Sequence, residues 1–148
     1  MPSLLAAGLA LVSGVCLAMQ VAINAGLSRA VGHPIIAALI SVCVTAACLV
    51  VAMVMLRIAA PARAALGGVA PWAWSGGALG ALYLTFTITA VPRLGAAIVV
   101  AVIIAGQLLT SLLLDHIGAF GLPEHGVSPL RVVGAVALVA GVVLIRFF

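Results

Sequence analysis

Five stretches of this chain are long and apolar enough to cross a lipid bilayer, and nothing else in the sequence limits its fold as strongly. A spanning helix needs roughly 20 predominantly apolar residues. The stretches at about 3–30, 34–58, 71–91, 93–117 and 128–147 qualify. The chain is 67% hydrophobic and 5% charged, with a mean hydropathy of +1.50. A soluble domain of 148 residues leaves too much of its surface in water to hide that much apolar area. The expected fold is therefore an all-α integral membrane protein, one five-helix transmembrane domain over residues 1–148.

Proline marks the joints between these stretches. Pro34, Pro71, Pro92 and Pro129 sit at or near expected helix starts, where a missing N–H costs little. Pro61 and Pro123 fall in loops. Ser128-Pro129 reads as an N-cap followed by proline at the first helical position. Trp72 and Trp74 mark a membrane interface at the start of the third span. The longest connection, "GAFGLPEHGVS", carries Glu124 and His125 and reads as a solvated loop, as does His33 before Pro34. The start, "MPSLLAAGLALVSGVC", has no basic segment ahead of its apolar run, so no cleaved signal peptide is expected.

The charges are six arginines, no lysine, Asp115 and Glu124, for a formal +4. Spread singly along the chain, they suit membrane-edge anchors and not a nucleic-acid surface. With five spans the termini lie on opposite sides of the membrane. One side then receives Arg57, Arg63 and Arg131, and the other Arg29, Arg93 and Arg146. Orientation normally follows an excess of Lys and Arg on the cytoplasmic side, and here the excess is zero. The expectation is a chain that inserts both ways up and pairs as an antiparallel dimer, the unfused form of the inverted repeats found in transporters. A single topology set by flanking loops is the alternative.

A polar group in hydrocarbon must find a partner or line water. In the first span Ser13, Gln20, Asn24 and Ser28 recur at intervals of seven, four and four, on one helical face bordered by Cys16. In the fourth, Gln107, Ser111 and Asp115 repeat at i, i+4, i+8, beside Thr110. The third carries Tyr83 and Thr87 at i, i+4, with Thr85 and Thr89 nearby. Hydroxyls of this kind serve well as helix-to-helix glue, or bond to the carbonyl one turn back. Amides are harder to satisfy by packing, because each brings two donors and an acceptor. Gln20, Asn24 and Gln107 are therefore the candidates for a shared polar cavity, with Tyr83 as an aromatic wall.

Small residues favour close packing: Gly76 and Gly80 form a GxxxG in the third span, and Gly134, Ala137 and Gly141 share one face of the fifth. Asp115 lies next to His116 at the end of the fourth span. A carboxylate at a helix C-terminus opposes the helix dipole and calls for a cation, which Arg57, Arg63 or Arg131 could supply. Proton coupling, with His116 titrating near neutral pH, is the alternative for this pair. Cys16, Cys43 and Cys48 show no metal-ligand spacing. No metal set, cofactor motif, nucleophile–base pair or phosphate loop is visible, so an enzyme is not expected.

Two runs carry a resemblance. "GVCLAMQVAINAGLSRAVGHPIIAALIS" and "GGALGALYLTFTITAVPRLGAAIVVAVIIAGQLLTSLLLDHIGAFGLP" resemble the YdcZ-like proteins of bacterial inner membranes, within the drug/metabolite transporter superfamily. The motifs are Gln20 and Asn24 with Leu27 and Arg29, the "PRLGAA" beginning at Pro92, and "AGQLLTSLLLDHIGAFG" beginning at Ala105. The resemblance implies an inner-membrane location and antiparallel pairs of five-helix units, because such units occur singly, in pairs and fused. Larger relatives with ten helices in an inverted repeat move metabolites. Smaller four-helix relatives use a glutamate in the first helix for proton-coupled cation export. This chain has no such glutamate, and Gln20 or Asn24 stands at the comparable depth, which argues against cationic drugs.

The sequence thus leads to a dual-topology antiparallel homodimer, or a pair with a paralogous subunit, giving a ten-helix bundle in the bacterial inner membrane. It would act as a secondary transporter, passing a small neutral or zwitterionic metabolite by alternating access between Gln20, Asn24, Tyr83 and Gln107. A dual-topology channel for a small ion and a non-transporting assembly subunit are the alternatives.

Overall fold

In the computed structural model, which describes residues 2–121 and 123–147, the described residues form helices joined by short connections, with no strand among them. Met1, Leu122 and Phe148 of the expected 1–148 domain lie outside them. The helices are α1 (Pro2–Val31), α2 (Pro34–Met55), a short α3 (Arg63–Gly67), α4 (Ser75–Leu94), α5 (Ala96–His116) and α6 (Pro129–Phe147). Among the described residues, five helical segments are long and apolar enough to cross a membrane. The 22 residues of α2, for instance, extend about 33 Å, slightly more than a bilayer's hydrocarbon core.

Local chemistry sets the ends of these helices. Gly32, at φ +79, ends α1 by donating its N–H to the Ser28 carbonyl at 2.9 Å. His33 is more than a loop residue: its Nδ1 accepts the Ile35 N–H at 3.2 Å and caps α2, with Pro34 following in the first turn. The connection between α1 and α2 is therefore only Gly32 and His33. At its other end α2 closes with paired bonds, Ile58 N–H to Met53 and Arg57 N–H to Val54, the pattern of a Schellman cap. Arg57 takes the left-handed position at φ 53, where glycine is usual.

A 3-10 turn at Pro71–Trp74 leads into α4, and the Ser75 hydroxyl donates to the Trp72 carbonyl at 2.7 Å. Here one boundary differs from expectation. Pro92 does not stand at the start of a new helix but inside the last turn of α4, which runs on to Leu94. Its fixed φ fits a helix, and near the C-terminus it removes only one hydrogen bond. The break comes at Gly95, whose φ of 83° and ψ of 154° belong to a region that is essentially glycine-only. Ser128 does cap α6, as the Ser-Pro pair predicts, accepting the Arg131 N–H at 3.3 Å.

The helices gather into two compact units, Met1–Arg93 and Leu94–Phe148. In the first, α1 and α2 form a tight antiparallel hairpin. Ala37 and Ala38 of α2 are buried with Leu84 and Ile88 of α4, and Leu27, Val31 and Tyr83 pack against them. The two alanines let backbones approach closely. In the second unit α5 packs along α6, with Ala135 buried. The connection between them is ordered by left-handed turns at Gly118, Phe120 and Gly121, and the His125 N–H donates to the Asp115 carbonyl at 2.8 Å. Most large apolar side chains point outward, Leu4, Met55 and Leu130 among them. That pattern suits a chain whose surroundings are hydrocarbon.

Candidate functional site

The polar groups converge in the first unit. α1 and α2 leave between them an open groove of about 440 Å³. From α1 it takes Cys16, Met19, Gln20, Ile23, Asn24 and Leu27, and from α2 Ile40, Ser41, Val44 and Thr45. The volume lies toward the small end of ligand sites. Among the described residues, no charged side chain lines the groove.

The tight turn explains why these side chains meet. Asn24 precedes Gly32 by eight residues and Ser41 follows His33 by eight; Gln20 and Thr45 each stand twelve away. In an antiparallel hairpin equal separations mean equal depth. The groove therefore has two polar rungs, Asn24 with Ser41 about 12 Å from the turn and Gln20 with Thr45 about 18 Å from it. Both lie well within a spanning helix.

Burial separates the two amides. Gln20 is half-buried, whereas Asn24 is only 3% exposed. The Nδ2 of Asn24 is sealed from solvent and has no hydrogen-bond partner. An unmet buried donor of this kind costs about 1–3 kcal/mol. Thr45 is already engaged, donating its hydroxyl proton to the Ser41 carbonyl at 2.9 Å, so toward the groove it can only accept. Ser13 makes the same backward bond to Leu9, and Thr89 to Thr85, which accounts for two more intramembrane hydroxyls without any ligand.

Tyr83 is in the same unit but on α4, packed against the alanine cluster beside Leu27, a residue that also lines the groove. Its hydroxyl is buried without a partner at hydrogen-bond geometry. Buried Thr87, one turn on, is the polar side chain it faces. Gln107, Asp115 and His116 belong to the second unit. Gln107 is exposed and Asp115 half-buried near the end of α5. Within the first unit, then, Gln20 and Asn24 come together and Tyr83 lies next to a wall of their groove.

Ser41 and Thr45 were absent from the sequence-based site. Their i, i+4 spacing was the available signal, the same one that marked the other stripes. The α5–α6 pair offers contrasting clefts. One of about 450 Å³ is lined by side chains such as Leu109, Leu112, Val132 and Val136, and another of about 280 Å³ by Ile104, Leu138 and Ile145 among others. Both are lined by apolar side chains and glycine alone, so neither could fix the orientation of a polar solute. No group of three or more His, Cys, Asp or Glu side chains able to hold a metal occurs among the described residues.

Neither the curated proteins nor the solved structures contain a significant match to this chain. A protein-family model does match, and it covers nearly all of the spans and both rungs of the groove. Residues 5–144 fit the family described as "Putative inner membrane exporter, YdcZ", and the chain belongs to that family of multi-pass inner-membrane proteins.

Proposed function

We propose that this protein is a secondary transporter that works as an antiparallel homodimer, or paired with a paralogous subunit, and passes a small neutral or zwitterionic metabolite across the inner membrane by alternating access. The observation that carries the reading is the α1–α2 groove: a polar-lined cleft inside membrane-spanning helices, with a buried Asn24 amide donor left unpaired. A purely structural helix pair gains nothing from keeping such a group. Membership of an exporter family supports the same reading.

In the proposed assembly a second copy lies across the open side of the groove, with a two-fold axis in the membrane plane. Each copy then contributes Gln20, Asn24 and Gln107, and Tyr83 backs the wall. Rocking about the axis exchanges two equivalent states, one open to each side. The balance of three arginines against three supports dual insertion. The open glycine faces are consistent with a partner: at Gly76, Gly80, Gly134 and Gly141 nothing beyond the local helix backbone comes within 4 Å of where a Cβ would stand. Asp115 and His116 stand at a membrane surface, where an ion pair across the dimer is the role assigned to Asp115. The protein acts without covalent chemistry, so it is not an enzyme.

A substrate-screened flux assay in liposomes tests this. Wild-type protein should support saturable uptake or efflux of a small uncharged or zwitterionic solute, and the Gln20→Leu, Asn24→Leu double variant should abolish it. Equal flux through the variant would refute the groove as the pathway, and sustained single-channel current would refute transport by alternating access.

A further inference from the structure

The polar rungs bear on what kind of molecule the groove takes. Resting on the transporter reading above, we infer that the groove selects uncharged solutes: a carbonyl or amide compound with an apolar body, presenting an acceptor oxygen to Asn24 and a donor to Thr45, and neither a zwitterion nor an ion. Two observations carry this.

The first is the donor and acceptor inventory. Asn24, only 3% exposed, is among the residues of the groove, and its Nδ2 is buried behind that wall with no partner. That atom can only donate, so it asks for an acceptor. Ser41, at the same depth, has a hydroxyl that can donate or accept. One rung away Thr45 has already given its proton to the Ser41 carbonyl and has only lone pairs to offer. Gln20 beside it can serve either way. The two rungs are four residues apart on each helix, about 6 Å along the axis. A carbonyl oxygen and an N–H or O–H at about that separation would satisfy both, with Ile23 and Ile40 against the rest of the molecule.

The second is the absence of charge compensation. Among the described residues, no acidic or basic side chain lines the groove. The nearest one in sequence on α1 is Arg29, five residues after Asn24 and so about 140° round the helix from it. Its guanidinium lies beside Gly26, with a nitrogen 3.9 Å from where a Cβ on that residue would stand. It turns away from the rungs. An ammonium or carboxylate in the groove would be stripped of water with no counter-charge, which membrane interiors penalise heavily. Of the neutral and zwitterionic solutes, only the neutral ones escape this penalty.

Cys16, exposed and on the groove wall, supplies a reporter that does not depend on flux. In full-length protein with Cys43→Ser and Cys48→Ser, its alkylation by N-ethylmaleimide is timed in liposomes. Three probes of similar size are compared: N-butylacetamide, butyltrimethylammonium and pentanoate. The amide should slow alkylation saturably, approaching about tenfold at ten times the half-protecting concentration. The two ions should give no protection. Asn24→Leu should remove the protection, and Ser41→Ala, the milder change, should weaken it. Protection by either ion, no protection by the amide, or amide protection that survives in both variants would overturn the inference. Flux is scored separately. Amide protection without flux leaves the selectivity standing and removes the transporter reading. Asn24-dependent flux of an ion does the reverse.

Discussion

Gln20 and Asn24 stand one turn apart on the same wall of the α1–α2 groove, yet only Asn24 has its amide nitrogen sealed away from solvent and unpaired. Ser41 stands at the same distance from the Gly32–His33 turn as Asn24, so the polar rung nearer the turn is built by two helices.

Stability and function should therefore separate at Asn24. Replacing it by leucine of similar size removes a buried, unsatisfied donor whose penalty is about 1–3 kcal/mol. The thermal midpoint of the purified protein should stay level or rise while flux is lost. A large fall in midpoint would mean that the amide is paired across copies, and its role would then be assembly.

At Gly118 a methyl group should be poorly tolerated. The residue has φ +58, and a Cβ there would come within 2.6 Å of the Glu124 Cγ. Gly118→Ala should destabilise the protein by about 1–2 kcal/mol from the left-handed backbone alone, with the contact in addition. Glu124→Ala should recover only the steric part. A double-mutant cycle on thermal unfolding measures the coupling, and a value near zero would mean that the Glu124 side chain simply swings aside.

Arg57 combines two effects that substitution can pull apart. It occupies the left-handed position of the cap on α2, at φ 53. Arg57→Gly should stabilise the fold by about 1 kcal/mol relative to Arg57→Gln. Both variants leave two arginines on one side against three on the other. With reporters fused after the C-terminus, wild-type protein should give signal from both sides of the membrane. Each variant should increase the share of chains with the C-terminus in the cytoplasm. Wild-type signal from one side only would end the dual-topology proposal.

Gln107 and Asp115 should behave differently although they share α5. In the proposed dimer Gln107 faces the common cavity, so Gln107→Leu should change the concentration dependence of flux with little effect on assembly. Asp115→Asn should instead shift the dimer fraction measured by crosslinking, or the orientation measured with the reporters. Loss of flux from Asp115→Asn with dimer and orientation intact would favour a coupling role for the carboxylate.

Hydropathy and periodicity made much of this protein legible before any coordinates. Runs of about 20 apolar residues specify spanning helices because lipid leaves the backbone no other partners. Ser128 announced its cap, and the spacing of Gln20 and Asn24 placed them on one face, since both signals are local to a single helix. What needed tertiary structure was every relation between helices. Ser41 and Thr45 looked like two ordinary hydroxyls until a two-residue turn set them level with Asn24 and Gln20. Pro92 suggested a helix start, but the chain kept its helical path until Gly95 could take a conformation closed to other residues. Gln107 shares the amide chemistry of the other two candidates but belongs to the other compact unit, and its period says nothing of which helix it meets. Period reports which face of a helix is polar; only packing decides which other helix that face will meet.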